Sequence, residues 1–158
     1  GTHPRSMDYY EDMAVGDVTE YGSKTMTKAE IIEFATKYDP QPFHLDEEAA
    51  AETFFGGLAA SGWHTAAVCM RLLVDGVLRD QASMGAAGVD ELRWKRPVYP
   101  GDTLSVRVEV LDKQPDPNDP TRGRVRSKLT GLNQDGDPVI SWEGLGLVAR
   151  REPADAEE

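Results

Sequence analysis

Hydrophobic and polar positions divide the chain into a helical first half and a strand-rich second half. The form Thr27-Lys28-Ala29-Glu30 is a capping box, and apolar residues follow it at helical spacing, which predicts a helix over residues 28–38. A weaker pattern before it predicts a strand over residues 17–26. Asp46, followed by two glutamates and three alanines, predicts the start of a second short helix that ends before Gly56.

The third predicted helix is apolar on nearly every face. From Trp63 to Val74 its only charged residue is Arg71, whereas a surface helix shows a polar face in every turn. Ser61 is a suitable N-cap residue for it. We therefore expect a central helix that the rest of the fold covers on most sides.

Four later segments have the pattern of strands, at residues 88–98, 103–111, 124–132 and 139–148. In the second of them, apolar residues alternate with polar ones, which is typical of a sheet with one wet face. Pro100-Gly101-Asp102 and Asn133-Gln134-Asp135-Gly136 predict tight turns. Sequential strands with short connections predict an antiparallel meander curled around the apolar helix, which is an α+β fold with the hot-dog layout.

Length and composition are those of one soluble domain. Among the 158 residues we expect a vector-derived remnant at 1–6, a domain at 7–150 and a flexible acidic tail at 151–158. The single cysteine, Cys69, excludes an internal disulfide, which fits a reducing compartment and predicts a cytoplasmic protein. No apolar run reaches the roughly 18 residues of a membrane span, so no membrane partner is expected.

Charge narrows the choice of partner further. With 17 basic and 28 acidic side chains the net charge is −11, which excludes nucleic acid as a partner. An anionic substrate would need a local basic patch. No Cys or His cluster has metal-ligand spacing and no Gly-rich phosphate loop is present, so we expect neither a metal nor a cofactor.

Asp39 and His44 are the first candidates for chemistry. They lie five residues apart in a segment stiffened by Pro40 and Pro42, which can hold both side chains toward one point. A histidine titrates near neutrality, and partial burial can raise the pKa of a carboxylate toward the same range. The two groups together would then form an acid–base pair. The spacing alone favours a simpler interpretation, in which Asp39 caps a helix end and His44 packs on Phe43.

Ser61 and Gly62 are the second candidates. The start of a buried helix presents free amides to an oxygen that gains negative charge, and glycine lets a ligand approach the backbone. The alternative is an ordinary N-cap followed by a glycine that allows close packing. His64 and the tryptophans Trp63, Trp94 and Trp142 are predicted to be core, pocket-wall or interface residues.

Three blocks in order resemble the MaoC-like dehydratases, the family of (R)-specific enoyl-CoA hydratases. Asp39, Pro42, Phe43 and His44 match the type and spacing of that family's hydratase motif, D-x-N-P-apolar-H. The segment 57–63 is similar to its entry into the central helix, and 91–102 to its strand ending in R-P-V-x-P-G-D. The resemblance covers about residues 10–150. Gln41 replaces the motif's asparagine, and Ser61 stands where many members have histidine.

The resemblance implies reversible addition of water to a trans-2-enoyl-CoA, giving a 3-hydroxyacyl-CoA. By position, His44 would be the base on water, Asp39 the acid at the α-carbon (the two roles can be exchanged), and Gly62 the amide that binds the thioester oxygen. Substrate-binding residues would be Gln41, Phe43, Ser61, Trp63, Arg93 and Arg96. A hot-dog acyl-CoA thioesterase and a non-catalytic acyl-CoA-binding protein remain alternatives.

The resemblance also implies a partner chain and a site for the substrate's phosphates. Hot-dog proteins usually pair, so a homodimer or a dimer of dimers is expected, and an open sheet edge is a physical reason for it. CoA is a polyanion, and we hypothesise that part of a basic set lines the pocket mouth: Arg71, Arg93, Lys95, Arg96, Arg122, Arg124 and Arg126.

Overall fold

The computed structural model describes residues 7–154, so the predicted remnant at 1–6 and the last four tail residues lie outside the described residues. Single 3-10 turns lie at Tyr10–Asp12 and Leu78–Asp80. The remaining elements are β1 (Val18–Thr25), α1 (Lys28–Tyr38), α2 (Pro42–Leu45), α3 (Glu47–Ala51), α4 (Gly62–Gly76), β2 (Ser83–Trp94), β3 (Thr103–Pro115), β4 (Arg122–Leu132) and β5 (Pro138–Ala149).

The strands form one antiparallel sheet in the order β1-β3-β4-β5-β2. The predicted meander is confirmed for β3, β4 and β5, but β2 does not adjoin β3 and pairs instead with β5. Residues 95–102 therefore have to connect β2 to β3 past the two strands that lie between them, β5 and β4. This segment is long enough, because an extended chain spans about 3.3 Å per residue and neighbouring strands lie about 4.8 Å apart.

The bounds predicted for β2 are wrong at both ends. It ends at Trp94, which pairs with Ile140 close to the start of β5, and Pro97 lacks the amide needed to continue the ladder. It begins at Ser83, earlier than the predicted Gly88, because pairing with β5 extends to Val148 through a stretch of small residues. These residues show no alternation that would indicate a strand.

Helix α4 packs on one face of this sheet, which confirms the predicted α+β hot-dog arrangement. Cys69 and Leu72 are buried in one cluster with Leu104 and Ile140 of the sheet. A side chain at Gly131 would place its Cβ 2.7 Å from the Cys69 sulfur, so the helix approaches β4 closely.

The cover over α4 is less complete in the single chain than predicted. Trp63, Met70 and Val74 are 58%, 43% and 37% exposed, and Ala67 lies exposed between them. Their spacing places all four on one stripe of the helix. The sheet covers the opposite side of α4. One apolar stripe of the helix therefore stays exposed in the single chain.

The segment between α1 and α4 positions the candidate site. Thr27 is the N-cap of α1 and accepts from Glu30 N–H at 3.2 Å, but the Glu30 carboxylate binds the Thr27 hydroxyl and not its backbone N–H, so only half of the predicted capping box forms. Asp46 caps α3 by accepting from Glu48 N–H at 2.9 Å. Helix α2 was not predicted, because Pro42 suggested a helix end. Proline is nevertheless well tolerated at the first position of a helix, where its missing N–H would have no partner anyway.

The described part of the predicted tail lies against the first 3-10 turn. The Arg151 guanidinium donates to both carboxylate oxygens of Asp12, at 3.1 and 2.8 Å. Within residues 7–154, no helix is both long and apolar enough to cross a membrane.

Candidate active site

Asp39 and His44 come together where α1 ends and α2 begins. Asp39 is the C-cap residue of α1, and the short turn through Pro40 brings its Oδ2 within 3.5 Å of His44 Nε2. The side chains are only 17% and 7% exposed. The His44 ring also packs edge-on against Phe43, with centroids 4.5 Å apart, so the pairing and the packing predicted from the sequence coexist.

One hydrogen bond fixes the tautomer of His44. Its Nδ1 lies 2.6 Å from the carbonyl oxygen of Ala59, and because a carbonyl can only accept, Nδ1 carries the proton. The backbone N–H of Ala59 in turn donates to the carbonyl of Phe43 at 3.1 Å, which ties α2 to the segment before α4. A neutral His44 therefore presents the lone pair of Nε2 toward Asp39.

The Asp39 carboxylate accepts one side-chain hydrogen bond on each oxygen. Gln41 Nε2 donates to Oδ1 at 2.5 Å, and Ser61 Oγ donates to Oδ2 at 2.7 Å. Burial raises the pKa of Asp39, but these two bonds and the nearby His44 outweigh it, so the pKa lies below the usual value. The expectation that this pKa is raised toward neutrality is wrong, because it omitted both donors.

Gly62 is the first residue of α4, and its N–H meets no acceptor among residues 7–154. The structure supports the second interpretation of this glycine, in which it allows close packing, while the approach of a ligand stays a prediction. A Cβ at this position would lie 2.4 Å from two atoms of the Trp94 indole, so the tryptophan ring occupies that space. Trp94 was not predicted as a site residue, because only the fold brings the end of β2 against the start of α4.

These groups open onto a cavity of about 450 Å³. Of the predicted site residues, Asp39, Gln41, His44, Gly62, Trp63 and Arg96 line it. Sequence reasoning missed a mostly apolar part of the wall, made of Phe54, Phe55, Ala60, Thr65, Trp94, Pro97 and Val98. The Phe residues lie in the loop after α3, where no motif marks them.

Three predicted substrate-binding residues lie elsewhere. Phe43 packs against the main core cluster. Ser61 is fully buried behind Asp39. The Arg93 guanidinium binds Glu91 at 3.0 Å and the Leu92 carbonyl, outside the cavity wall.

Of the hypothesised basic set, the structure brings only Lys95 and Arg96 to the cavity. The others are paired with acids elsewhere, Arg71 with Asp75, Arg126 with Asp90, and both Arg122 and Arg124 with Asp116. Arg96 lies 4.0 Å from Asp137, and Lys95 forms no ion pair within residues 7–154. His64 faces away from the cavity and stacks on Phe34 with ring centroids 4.7 Å apart.

The arrangement suits proton transfer to and from a substrate bound in the cavity. Two acceptors, a carboxylate and an imidazole nitrogen, face a cavity that also offers a backbone donor at a helix N-terminus. Across residues 7–154, no group of three or more His, Cys, Asp or Glu side chains is placed to hold a metal ion.

Comparison with known proteins gives consistent results. The family model described as a MaoC like domain matches residues 12–131. The protein YdeM of Bacillus subtilis is 35% identical over 89% of this chain and 98% of its own length. The 3-hydroxybutyryl-CoA dehydratase of Methylorubrum extorquens is 34% identical over 93% of this chain and 88% of its own.

A solved structure extends the similarity to three dimensions. The MaoC-like dehydratase from Rhodospirillum rubrum superposes with a TM-score of 0.85 at 46% identity, covering 91% of this chain and 98% of the other. The matching family model, the relatives and the solved structure agree with the family resemblance found in the sequence. The chain belongs to the MaoC-like dehydratase family.

Proposed function

We propose that the protein is a hydro-lyase that adds water reversibly to a trans-2-enoyl-CoA to give a 3-hydroxyacyl-CoA. The observation that carries this proposal is the 3.5 Å approach of Asp39 Oδ2 to His44 Nε2, on the same cavity as Gly62 at the start of α4. The relative named 3-hydroxybutyryl-CoA dehydratase, similar over nearly the whole chain, supports the reaction class.

The hydrogen bonds of Asp39 and His44 suggest which group accepts and which group donates each proton. With Asp39 ionised and Nε2 of His44 unprotonated, both groups accept, so one water can donate to both and keep a lone pair for the substrate. As the water oxygen bonds to C3, Nε2 takes a proton from it. The resulting imidazolium returns that proton to C2, so the sum of the steps is water added across the double bond.

In this scheme Asp39 is not the acid. Its lowered pKa keeps it ionised at neutral pH, where it orients the water and stabilises the imidazolium at 3.5 Å. Negative charge develops on the thioester oxygen in the transition state. The Gly62 N–H at the helix N-terminus is suited to bind that oxygen.

The carrier is proposed to be coenzyme A. Lys95 and Arg96 are the basic residues on the wall of a cavity that also contains the ionised Asp39. In a chain with a net charge of −11 they provide the local positive charge that a phosphate-bearing carrier needs.

A single assay tests the reaction class. The protein is incubated with crotonyl-CoA and longer 2-enoyl-CoAs while enoyl absorbance and free thiol are followed together. Loss of absorbance without release of thiol is expected, with 3-hydroxyacyl-CoA as the product. Release of thiol would show a thioesterase, and binding without turnover of any enoyl-CoA would show a non-catalytic acyl-CoA-binding protein.

We further propose that two copies of the chain pair through the open side of α4 and the edge strand β2. The α4 stripe at Trp63, Met70 and Val74 is apolar and exposed, and Val89 and Trp94 of β2 are 52% and 48% exposed. A second copy would bury this surface and extend the sheet at its β2 edge. The cytoplasmic location remains a prediction from the sequence.

A further inference from the structure

Ser61 has a different position from the one expected of a substrate-binding residue. It is fully buried and does not line the cavity. Its Oγ donates to Asp39 Oδ2 at 2.7 Å and accepts from the backbone N–H of Trp63 at 3.3 Å. A hydroxyl has one proton, so the donor capacity of this side chain is committed to Asp39.

The oxygen that Ser61 holds is the one that approaches His44. Oδ2 lies 3.5 Å from His44 Nε2, while Gln41 occupies Oδ1. With one donor on each oxygen, the carboxylate cannot rotate freely about its Cβ–Cγ bond. Oδ2 keeps a further lone pair for a donor from the cavity.

We infer that Ser61 is a positioning residue, which orients the Asp39 carboxylate between His44 and the cavity without touching the substrate. This inference rests on the proposed hydration reaction. Because Ser61 is also the N-cap of α4, the same hydroxyl couples the start of that helix, which carries the Gly62 amide, to the carboxylate. Two parts of the site are thereby aligned by one side chain.

The first experiment compares Ser61→Ala and Ser61→Gly with Ser61→Thr, which retains the hydroxyl. Glycine is a nearly neutral replacement at an N-cap, so it removes the hydrogen bond with little loss of helix stability. We expect the two removal variants to lose about tenfold in kcat with KM changed less than twofold, and Ser61→Thr to recover most of the rate. The matched control is Thr27→Ala, which removes the N-cap of α1 far from the site.

A double-mutant cycle separates positioning from general damage. If Ser61 acts through Asp39, then Ser61→Gly has no further effect on kcat in an Asp39→Asn background. An equal loss in both backgrounds would overturn the inference, as would a Thr27→Ala variant with the same loss of kcat as Ser61→Gly.

A measurement that needs no turnover distinguishes failure of this inference from failure of the proposed function. The Asp39 carboxyl carbon is followed by ¹³C NMR during a pH titration, with Asp39→Asn for assignment. The other charged or titratable side chains that line its cavity are His44, Lys95 and Arg96, and Ser61→Gly changes none of them. Loss of a hydrogen bond to the ionised form should move the midpoint up by about one pH unit. An unchanged midpoint would overturn the inference even in a protein that turns over no enoyl-CoA.

Discussion

Both members of the Asp39–His44 pair are held by the segment that leads into α4. Asp39 is fixed by Gln41 in its own turn and by Ser61 at the start of α4, whereas His44 is fixed by the carbonyl of Ala59. The two reactive atoms are therefore held in place before any substrate arrives. Such preorganisation is where an enzyme gains most from a rigid framework.

Asp39→Asn and His44→Asn are each expected to lower kcat/KM for crotonyl-CoA by at least about 10²-fold. The first replaces the charge that stabilises an imidazolium, and the second removes the base. Initial rates of enoyl absorbance at saturating and limiting substrate measure both. The thermal midpoint of Asp39→Asn should stay close to that of the wild type, because the two side chains are isosteric. That of His44→Asn should fall, because a buried ring and its hydrogen bond to Ala59 are lost, so its rate is compared at a temperature where the variant is fully folded.

Asp46→Asn is the matched control for this pair. Asp46 is two residues from His44, and asparagine is as good an N-cap as aspartate, so α3 should be undisturbed. It does not line the cavity. A near-wild-type rate in Asp39→Asn or His44→Asn, or a comparable loss in Asp46→Asn, would show that the catalytic pair has been misassigned.

At the scale of elements, what the sequence predicted depended on how local the signal was. Helix α1 has the predicted bounds because its N-cap, its periodicity and the prolines after it all act within a few residues. Strand β2 was misplaced because its ends depend on β5, about fifty residues away in the chain. The Asp39–His44 pair could be found from a stretch of six residues, whereas the hydrogen bonds to Ser61 and Ala59 could be found only from the fold.

The contact between Gly62 of α4 and Trp94 of β2 also joins two elements that are distant in the sequence. Gly62→Ala would place a methyl group 2.4 Å from the indole, so the ring must swing away from the start of α4. We expect a destabilisation of about 1–3 kcal/mol, as for other overpacked sites, and at least a tenfold loss of kcat/KM. Urea denaturation and initial rates measure the two effects.

Two variants control that prediction. Gly57→Ala should be nearly silent, since a Cβ at Gly57 meets nothing within 4 Å. In a Trp94→Ala background, Gly62→Ala should cost much less stability, because the colliding ring is gone. Equal costs in both backgrounds would mean that the indole is not the reason for glycine at this position.

At the scale of the whole molecule, the net charge of −11 should repel an anionic substrate, so Lys95 and Arg96 on the cavity wall are the residues expected to attract its phosphates. Lys95→Glu and Arg96→Glu should each raise the KM for crotonyl-CoA about tenfold at low salt and change kcat less than twofold. Arg93→Glu, outside the cavity wall, should change the KM for crotonyl-CoA only slightly. The N-acetylcysteamine thioester lacks phosphates, so its KM should not change. An equal rise for both thioesters would rule out phosphate recognition.

The exposed apolar stripe of α4 bears on the oligomeric state, because a single chain leaves this stripe in contact with water. If it joins two copies, size-exclusion chromatography with light scattering should give at least twice the 17.4 kDa chain mass. Met70→Glu and Val74→Glu place a charge on the stripe and should reduce the mass to that of one chain. Val15→Glu, at an exposed valine outside the stripe, should leave the mass unchanged.

Activity of the single-chain variants then shows whether the second copy completes the site. Trp63 and Trp94 both line the cavity and belong to the exposed apolar surface, so pairing would cover that side of the cavity. We expect Met70→Glu to lose kcat/KM in proportion to the fraction of dissociated chains, and to regain it at high protein concentration by mass action. A fully active single chain would mean that the cavity needs no wall from a partner, and a dimer that persists in both charged variants would place the contact on another surface.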